Sequence, residues 1–353
     1  MSSFGVISDQ HFHDWSAFSS STPTGVSSRL QTQLDELRRC ASEVRASGGN
    51  LIVNAGDTFH VRGKLAPSVL NPVLDLHREL IRDGFQFLIL AGNHDLERRE
   101  ADRLGSAVTA LEGVGCTIVN HATVIGDKAF VPWIQHVADL KVAIQNVAPA
   151  QDRPGLDLII HAPIDGVIPG LPDHGLSAEW LGDLGFRRVF SGHYHSHVAF
   201  PKEVYSVGAS THQTWSDVGS KAGFLIVSDS GVRHFATHAP NFVEVDGSTD
   251  PAEIPLIVDG HYVKCRIRAS KQSDIEALRQ YLLESGAKGV VIVPQPDTTA
   301  APTRTGSAVV STSSLEQSVT DYVKASSYDR PDDLSALCAS IMAQARAVSG
   351  DAK

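Results

Sequence analysis

Five short apolar runs in the first 195 residues each lead into aspartate, asparagine or histidine, and this repeated ending constrains the fold more than any other feature. "FGVIS" (4–8) leads into Asp9, Gln10 and His11, and "LIVNAG" (51–56) leads into Asp57. "FQFLILAG" (85–92) precedes Asn93, His94 and Asp95, "LDLII" (156–160) precedes His161, and "RRVFSG" (187–192) precedes His193, Tyr194 and His195. Runs of this length, apolar on both faces, read as buried strands. Helical patterns lie between them. Leu30, Leu34, Leu37, Ala41 and Val44 recur at spacings of three and four, and "PSVLNPVLDLHRELIRDG" (67–84) repeats the pattern and ends on glycine. This alternation predicts an α/β sandwich with at least partly parallel sheets. "GFLIVSD" and "GVRHFATH" sit close together and predict an antiparallel hairpin at a sheet edge.

Residues just beyond the carboxyl ends of strands in an open α/β sheet face a common crevice. Five strands would therefore bring Asp9, His11, Asp57, Asn93, His161, His193 and His195 to one place. Each residue alone has a plain reading, since an aspartate after a strand often caps a helix and a buried histidine is usually just hydrogen-bonded. The set as a whole offers carboxylate, carboxamide and imidazole but no thiolate, which suits Mn²⁺, Fe²⁺ or Zn²⁺ rather than structural zinc. Seven candidates exceed the needs of one ion. They suit two ions about 3.5–4 Å apart sharing a carboxylate, an arrangement fit for phosphoester hydrolysis.

"SGHYHSH" (191–197) alternates three histidines, and a strand would present all three on one face. Gly192 instead suggests a sharp turn, so the alternation reads as a loop and not as a strand face.

The motifs "DQH", "GD", "GNHD", a lone histidine and "GHYH", in that order across residues 1–195, resemble the calcineurin-like metallophosphoesterase superfamily. The resemblance implies a metallophosphoesterase β-sandwich flanked by helices, holding two divalent metal ions, with Mn²⁺ expected. It makes Asp9, His11, Asp57 and His195 ligands of one ion and Asp57, Asn93, His161 and His193 ligands of the other, with Asp57 as the bridge. His94 would stabilise the phosphoryl transition state or protonate the leaving oxygen, and Asp95 would orient His94 or serve as a turn cap.

"GDTFH" places His60 three residues after Asp57, and this extension resembles SbcD-type nuclease subunits of DNA repair and recombination complexes, including small bacteriophage endonuclease subunits. In those, the matching histidine helps place DNA; an ordinary loop residue is the alternative for His60. Arg62, Lys64, Arg98, Arg99 and Arg103 could contact a phosphate backbone, although Glu97 and Glu100 interleave with the last three. The first block departs from the common family form by carrying His13, Trp15 and Phe18. Trp15 could stack on a base, wall the pocket or pack in the core. The polar loop at 18–25 could cover the site, and "GASTHQTWSD" (208–217), with Thr211, His212 and Trp215, is another candidate rim.

Residues 1–245 are expected to form the nuclease domain, followed by a Pro-, Gly- and acid-rich boundary at 238–255. Residues 256–296 read as a small β-α-β cap domain, with a capping box at Ser273 and Glu276 and a closing Gly286. C-terminal helices follow at 311–349, and Leu334, Leu337, Ile341, Ala345 and Val348 form an apolar stripe there. That stripe would pack on the protein itself or on a partner. By resemblance, the partner would be an SMC-like coiled-coil ATPase, with a homodimer of this chain as a further expectation. The net charge of -10 argues against a generally basic nucleic-acid-coating surface, but metal sites can still draw in an acidic substrate. Four scattered cysteines, the lack of a signal-like start and the lack of a long apolar run suggest a cytoplasmic chain without a membrane segment. The rival to a DNA nuclease is a stand-alone small-molecule phosphodiesterase or phosphatase. A non-catalytic scaffold is disfavoured because all seven candidate ligands and His94 are present.

Overall fold

Two six-stranded sheets face each other across an apolar layer in the computed structural model, which describes residues 3–60, 64–98, 105–268, 272–294, 319, 323 and 331–350. The first sheet has the order β12-β11-β1-β2-β3-β4, with β1 Phe4–Ile7, β2 Leu51–Asn54, β3 Gln86–Leu90, β4 Thr117–Val119, β11 Gly223–Ser228 and β12 Gly231–Ala236. The second has the order β5-β6-β7-β8-β10-β9, with β5 Thr123–Ile125, β6 Lys128–Val131, β7 Asp157–His161, β8 Arg188–Gly192, β9 Val198–Phe200 and β10 Val204–Ser206. All five expected strands form. They do not share one sheet, however: β1, β2 and β3 run parallel in the first, and β7 and β8 run parallel in the second.

Strands buried on both faces explain their continuous apolar sequence. Phe4, Val6, Val53 and Leu90 meet Phe130, Ile159 and Phe190 between the sheets. On the outer face of the first sheet lie α1 (Ser28–Ala46) and α2 (Pro67–Arg82), which bury Leu30, Leu37 and Val44 and Val69, Val73 and Leu76. The five apolar positions expected on α1 are all buried, each contributing about 1–3 kcal/mol by leaving water. Ser27 caps this helix by accepting from the Leu30 N–H. The second sheet is covered by α3 (Val137–Asn146) and α4 (Ala178–Asp183) through Leu140, Ile144 and Leu181. The expected hairpin is β11–β12, antiparallel and at the sheet edge.

A third, parallel sheet has the order β13-β14-β15, formed by Phe242–Asp246, Tyr262–Ile267 and Gly289–Pro294. The stretch 238–255 is therefore structured, containing β13 and the start of α5 (Ile254–Val258). Its Pro, Gly and acidic residues surround a short strand whose Phe242 and Val245 are buried. Thus Phe242–Asp246, at the end of the expected 1–245 unit, joins the small sheet. Helix α6 (Gln272–Glu284) connects β14 to β15 and already includes Ser273, whose hydroxyl bonds Asp274 rather than capping the helix. Gly286 follows it at φ 96°, a conformation that favours glycine.

Residues 1–296 form one compact unit and 297–353 another. The second contains helix α7 (Pro331–Gly350), where Leu337 and Ile341 are exposed. The first part of the expected helical segment 311–349 lies, up to residue 330, almost wholly outside the described residues. Among the described residues, no helix is long and apolar enough to cross a membrane.

Candidate metal centre

The parallel registers of β1, β2 and β3 bring Asp9, His11, Asp57 and Asn93 to one end of the first sheet. His161 and the His193–His195 segment arrive from β7 and β8 of the second. The chain has to bend sharply to aim these groups. Asp9 (φ 47°), His11 (φ 43°), Asp57 (φ 53°) and His193 (φ 110°) all have positive φ, a conformation that costs non-glycine residues about 1–3 kcal/mol each. Surrounding hydrogen bonds hold the strained loop. The Asp9 and His11 N–H groups donate to the carbonyls of Gly56 and Asp57, both at 3.0 Å. Buried side-chain amides complete the hold: Gln33 donates to the carbonyls of Gln10 (2.7 Å) and His11 (3.1 Å), and Gln213 to that of Asp9 (2.8 Å).

The motif glycines make room for the donors. A Cβ on Gly92 would lie 2.2 Å from Asp57 Oδ1, and one on Gly192 would lie 2.1 Å from Ser8 Oγ. Gly192 is the last residue of β8 and is absent from the positive-φ positions, so its place there is explained by space and not by a turn.

Among the described residues three close groups of donors result: Asp9, His11 and His195; Asp57, His161 and His193; and His11, His60 and His94. His11 Nε2 lies 3.3 Å from His195 Nε2, 3.6 Å from Asp57 Oδ2 and 3.9 Å from Asp9 Oδ1. The same Asp57 Oδ2 is 3.3 Å from His161 Nε2, so one carboxylate oxygen adjoins both sides of the centre. Asn93 Oδ1 lies 3.0 Å from both His161 Nε2 and His193 Nδ1. Donors bound at about 2.0–2.2 Å around one cation lie roughly 3.0–3.5 Å apart, so these spacings fit divalent ions.

Tautomers support the same reading. His161 Nδ1–H donates to the Ala55 carbonyl (2.8 Å) and His195 Nδ1–H to Asp217 Oδ1 (2.7 Å). In the neutral rings, both Nε2 lone pairs then face the centre. Burial holds His11 well below the ordinary histidine value and takes His193 down to about 3, leaving both in the neutral, ligating form. Burial pushes the Asp57 carboxyl up, but the neighbouring His161 imidazole, by its charge and its hydrogen bond, outweighs it and keeps the group ionised. For His161, burial is outweighed by Asp57, which raises the imidazole to about 9. A bound cation would compete with that proton for the same lone pair.

His94 stands beside these groups, its ring centre 4.7 Å from that of His11. Its N–H donates to Asp57 Oδ1 (2.7 Å), and its Nδ1 bonds the His60 carbonyl (2.9 Å). Asp95 does not orient the His94 ring. Its buried carboxylate accepts instead from the N–H groups of Phe59 (2.9 Å), Gly92 (2.9 Å) and Thr58 (3.3 Å), tying the "GD" loop to the "GNHD" loop. The His60 backbone carbonyl takes over the orienting role.

His60 itself stacks near His94 (5.5 Å, 16° between planes) and lies 4.4 Å from the Trp15 ring and 5.0 Å from His13. Lys64 and Arg98 are exposed, while Arg62, Arg99 and Arg103 lie outside the described residues. His197 bonds the Ser206 carbonyl and stacks on His234, outside the three donor groups. The loop at 18–25 is a tied hairpin, with Thr22 bonded to the Val26 carbonyl and Phe18 stacked on Tyr262 of the small sheet (4.9 Å). In the other expected rim, Thr211 and His212 are buried, and Trp215 packs against Phe242 (4.7 Å).

Asp217, which aligns His195, went unread in the sequence, although "TWSD" carries a Thr-x-x-Asp capping pattern. Here Thr214 and Asp217 cap a short 3₁₀ turn in this way, leaving Asp217 Oδ1 for the histidine. Gln33, Gln213 and Trp133, whose ring stacks 5.1 Å from His193, carried no sequence signal because they come from distant segments.

No curated protein matches the chain. Among solved structures, it is similar to a nuclease MPE of Pseudomonas putida, with 18% identity and TM-score 0.27, over 57% of this chain and 65% of that one. It therefore spans less than two thirds of that nuclease. It is also similar to a dimetal phosphatase of Danio rerio, with 12% identity and TM-score 0.36, over 64% of this chain and 91% of that one. The family model described as calcineurin-like phosphoesterase matches residues 2–197, more than half of the chain and the whole span of the donor motifs. The chain belongs to the calcineurin-like phosphoesterases.

Proposed function

We propose that this protein is a dinuclear-metal phosphodiesterase that cleaves DNA, with Mn²⁺ as the working ion. The observation that carries the reading is the position of Asp57 Oδ2 between His11 Nε2 and His161 Nε2, at 3.6 and 3.3 Å. Asp9, His11, Asp57 and His195 would hold one ion, and Asp57, Asn93, His161 and His193 the other. Bound there, the two ions would offset charge on the phosphoryl oxygens and ready a water for attack.

The remaining chemistry belongs to the chain's own groups. With Nδ1–H directed to the His60 carbonyl, His94 keeps Nε2 for the substrate, and in the cationic ring that nitrogen can protonate the leaving oxygen. DNA is supported by the "GDTFH" extension and by the His60, His13 and Trp15 rings gathered beside His94. Such flat surfaces accept bases without selecting a sequence. Lys64 and Arg98 remain backbone-contact candidates. By the same resemblance, α7 would serve a coiled-coil ATPase partner in a repair or recombination complex.

Labelled linear DNA incubated with Mn²⁺, beside a chromogenic diester, tests this reading. His94→Ala is expected to lose about 10²–10⁴-fold on both substrates, whereas His60→Ala should lose mainly DNA cleavage. Diester hydrolysis without any DNA cleavage, even with an ATPase partner supplied, would leave a small-molecule phosphodiesterase instead.

A further inference from the structure

On the side of the centre formed by His193 and His195 lies a cavity of about 410 Å³, a size within the roughly 300–1,000 Å³ range of small-molecule sites. Ile168, Pro169, Tyr194 and Val218 supply apolar and aromatic walls, and Ser196 and Ser216 supply hydroxyls. Ile168 and Val218 are aliphatic side chains left 39% and 37% exposed. Among the described residues no lysine or arginine lines the cavity, and the Asp217 carboxylate at its wall is already engaged by His195 and by the N–H groups of Gln213 and Thr214. A phosphate would therefore find its counter-charges at cations held by the donor groups and not here, and the cavity suits an uncharged group. Because His193 and His195 also belong to the donor groups, a phosphate held there brings its organic substituent to the mouth of this cavity.

We propose that the cavity seats the nucleoside carried by the scissile phosphate, with the base lying between the apolar walls and its edge toward the serines. This deepens the phosphodiesterase reading above and rests on it. The serines also set the expected selectivity. A hydroxyl both donates and accepts, so it meets the carbonyl edge of one base and the amino edge of another alike. Weak base preference follows, as suits a nuclease that acts on any sequence.

Two measurements test the pocket. Thymidine is titrated into the metal-free protein by NMR, with Val218→Trp and Ile168→Trp as variants that fill the cavity from separate positions; both positions are part-exposed, so the larger rings need not disturb the core. Wild type should bind thymidine, and each tryptophan should weaken binding by about tenfold or more. Separately, kcat/KM is compared for the p-nitrophenyl ester of thymidine 5′-phosphate and for methyl p-nitrophenyl phosphate, which share a leaving group. Wild type should favour the nucleoside ester by about tenfold or more, and the tryptophans should collapse that ratio. Cleavage of both esters without preference, or thymidine binding indifferent to the tryptophans, overturns the pocket and leaves the phosphodiesterase reading standing. Failure to cleave either ester removes the phosphodiesterase reading, and the thymidine titration then decides the cavity alone.

Discussion

Asp217 shows how a carboxylate outside the donor groups governs a side chain within them. Its Oδ1 accepts the His195 Nδ1–H at 2.7 Å, while Oδ2 accepts from the N–H groups of Gln213 (2.7 Å) and Thr214 (2.9 Å). Three donors hold the carboxylate, and it in turn holds one tautomer of the imidazole. Loss of such a partner typically weakens metal binding by about 10–100-fold. Asp217→Ala should therefore show weaker Mn²⁺ binding by calorimetry in that range. Affinity equal to wild type would reduce Asp217 to a cap of its 3₁₀ turn. The contrast with Asp95 is instructive, because both are buried aspartates near a histidine. Sequence proximity suggested that Asp95 serves His94, yet three backbone N–H groups claim its oxygens. Asp217 serves a histidine 22 residues away. Adjacency in sequence says little about which acid meets which imidazole once loops fold back across a strand end.

Helix α2 presents the opposite case, a histidine whose environment has nothing to do with chemistry. His77 is buried against Phe87 (ring centres 4.9 Å apart), and its Nδ1 bonds the Val73 carbonyl at 2.8 Å. Burial pulls its pKa down to about 4, the bond to Val73 only partly opposing this. The unfolded chain binds this proton near the ordinary value of about 6.5 and the folded chain only near 4, so between those values the unfolded state holds more protons. Stability from this group is complete above about pH 6.5 and falls as the pH drops toward 4, by on the order of 3 kcal/mol. Replacing His77 with leucine should flatten that part of the urea-unfolding profile between pH 6.5 and 4; an unchanged slope would place the acid sensitivity elsewhere. At this scale the sequence was most readable where period and burial coincide. The α1 stripe and the five strands declared themselves through apolar spacing, whereas β4, β5, β9 and β10, of three residues each, were too short to show a period. Strand β13 was hidden by the prolines and acids around it, since its pairing with β14 is decided by tertiary packing.

The two large sheets each hold only part of the donor set. Asp9, His11, Asp57 and Asn93 come from the first and His161, His193 and His195 from the second, so the centre spans the edge where the sheets meet. The order of the motifs announced the set, and the expected sandwich of partly parallel sheets is the frame that forms, but which donors fall to which sheet was not readable. Parallel strand direction explains the agreement: carboxyl ends gather at one edge whether the strands belong to one sheet or to two. The division has a thermodynamic consequence. Cations bound at the two proposed sites, one around Asp9, His11 and His195 and one around Asn93, His161 and His193, would clamp one sheet to the other through Asp57, and neither sheet alone would retain them on unfolding. A ligand that binds only the folded state stabilises it by about 4 kcal/mol at a thousandfold excess over its dissociation constant, which for a unit of this size raises the Tm by roughly 10 °C. Mn²⁺ added to chelator-treated protein should thus raise the Tm by about that much. Asp57→Ala removes the carboxylate between the two groups and should respond far less, each variant being compared with its own metal-free state. Shifts of equal size in wild type and Asp57→Ala would mean that the ion acts elsewhere on the molecule, and the proposed bridge would be lost with it.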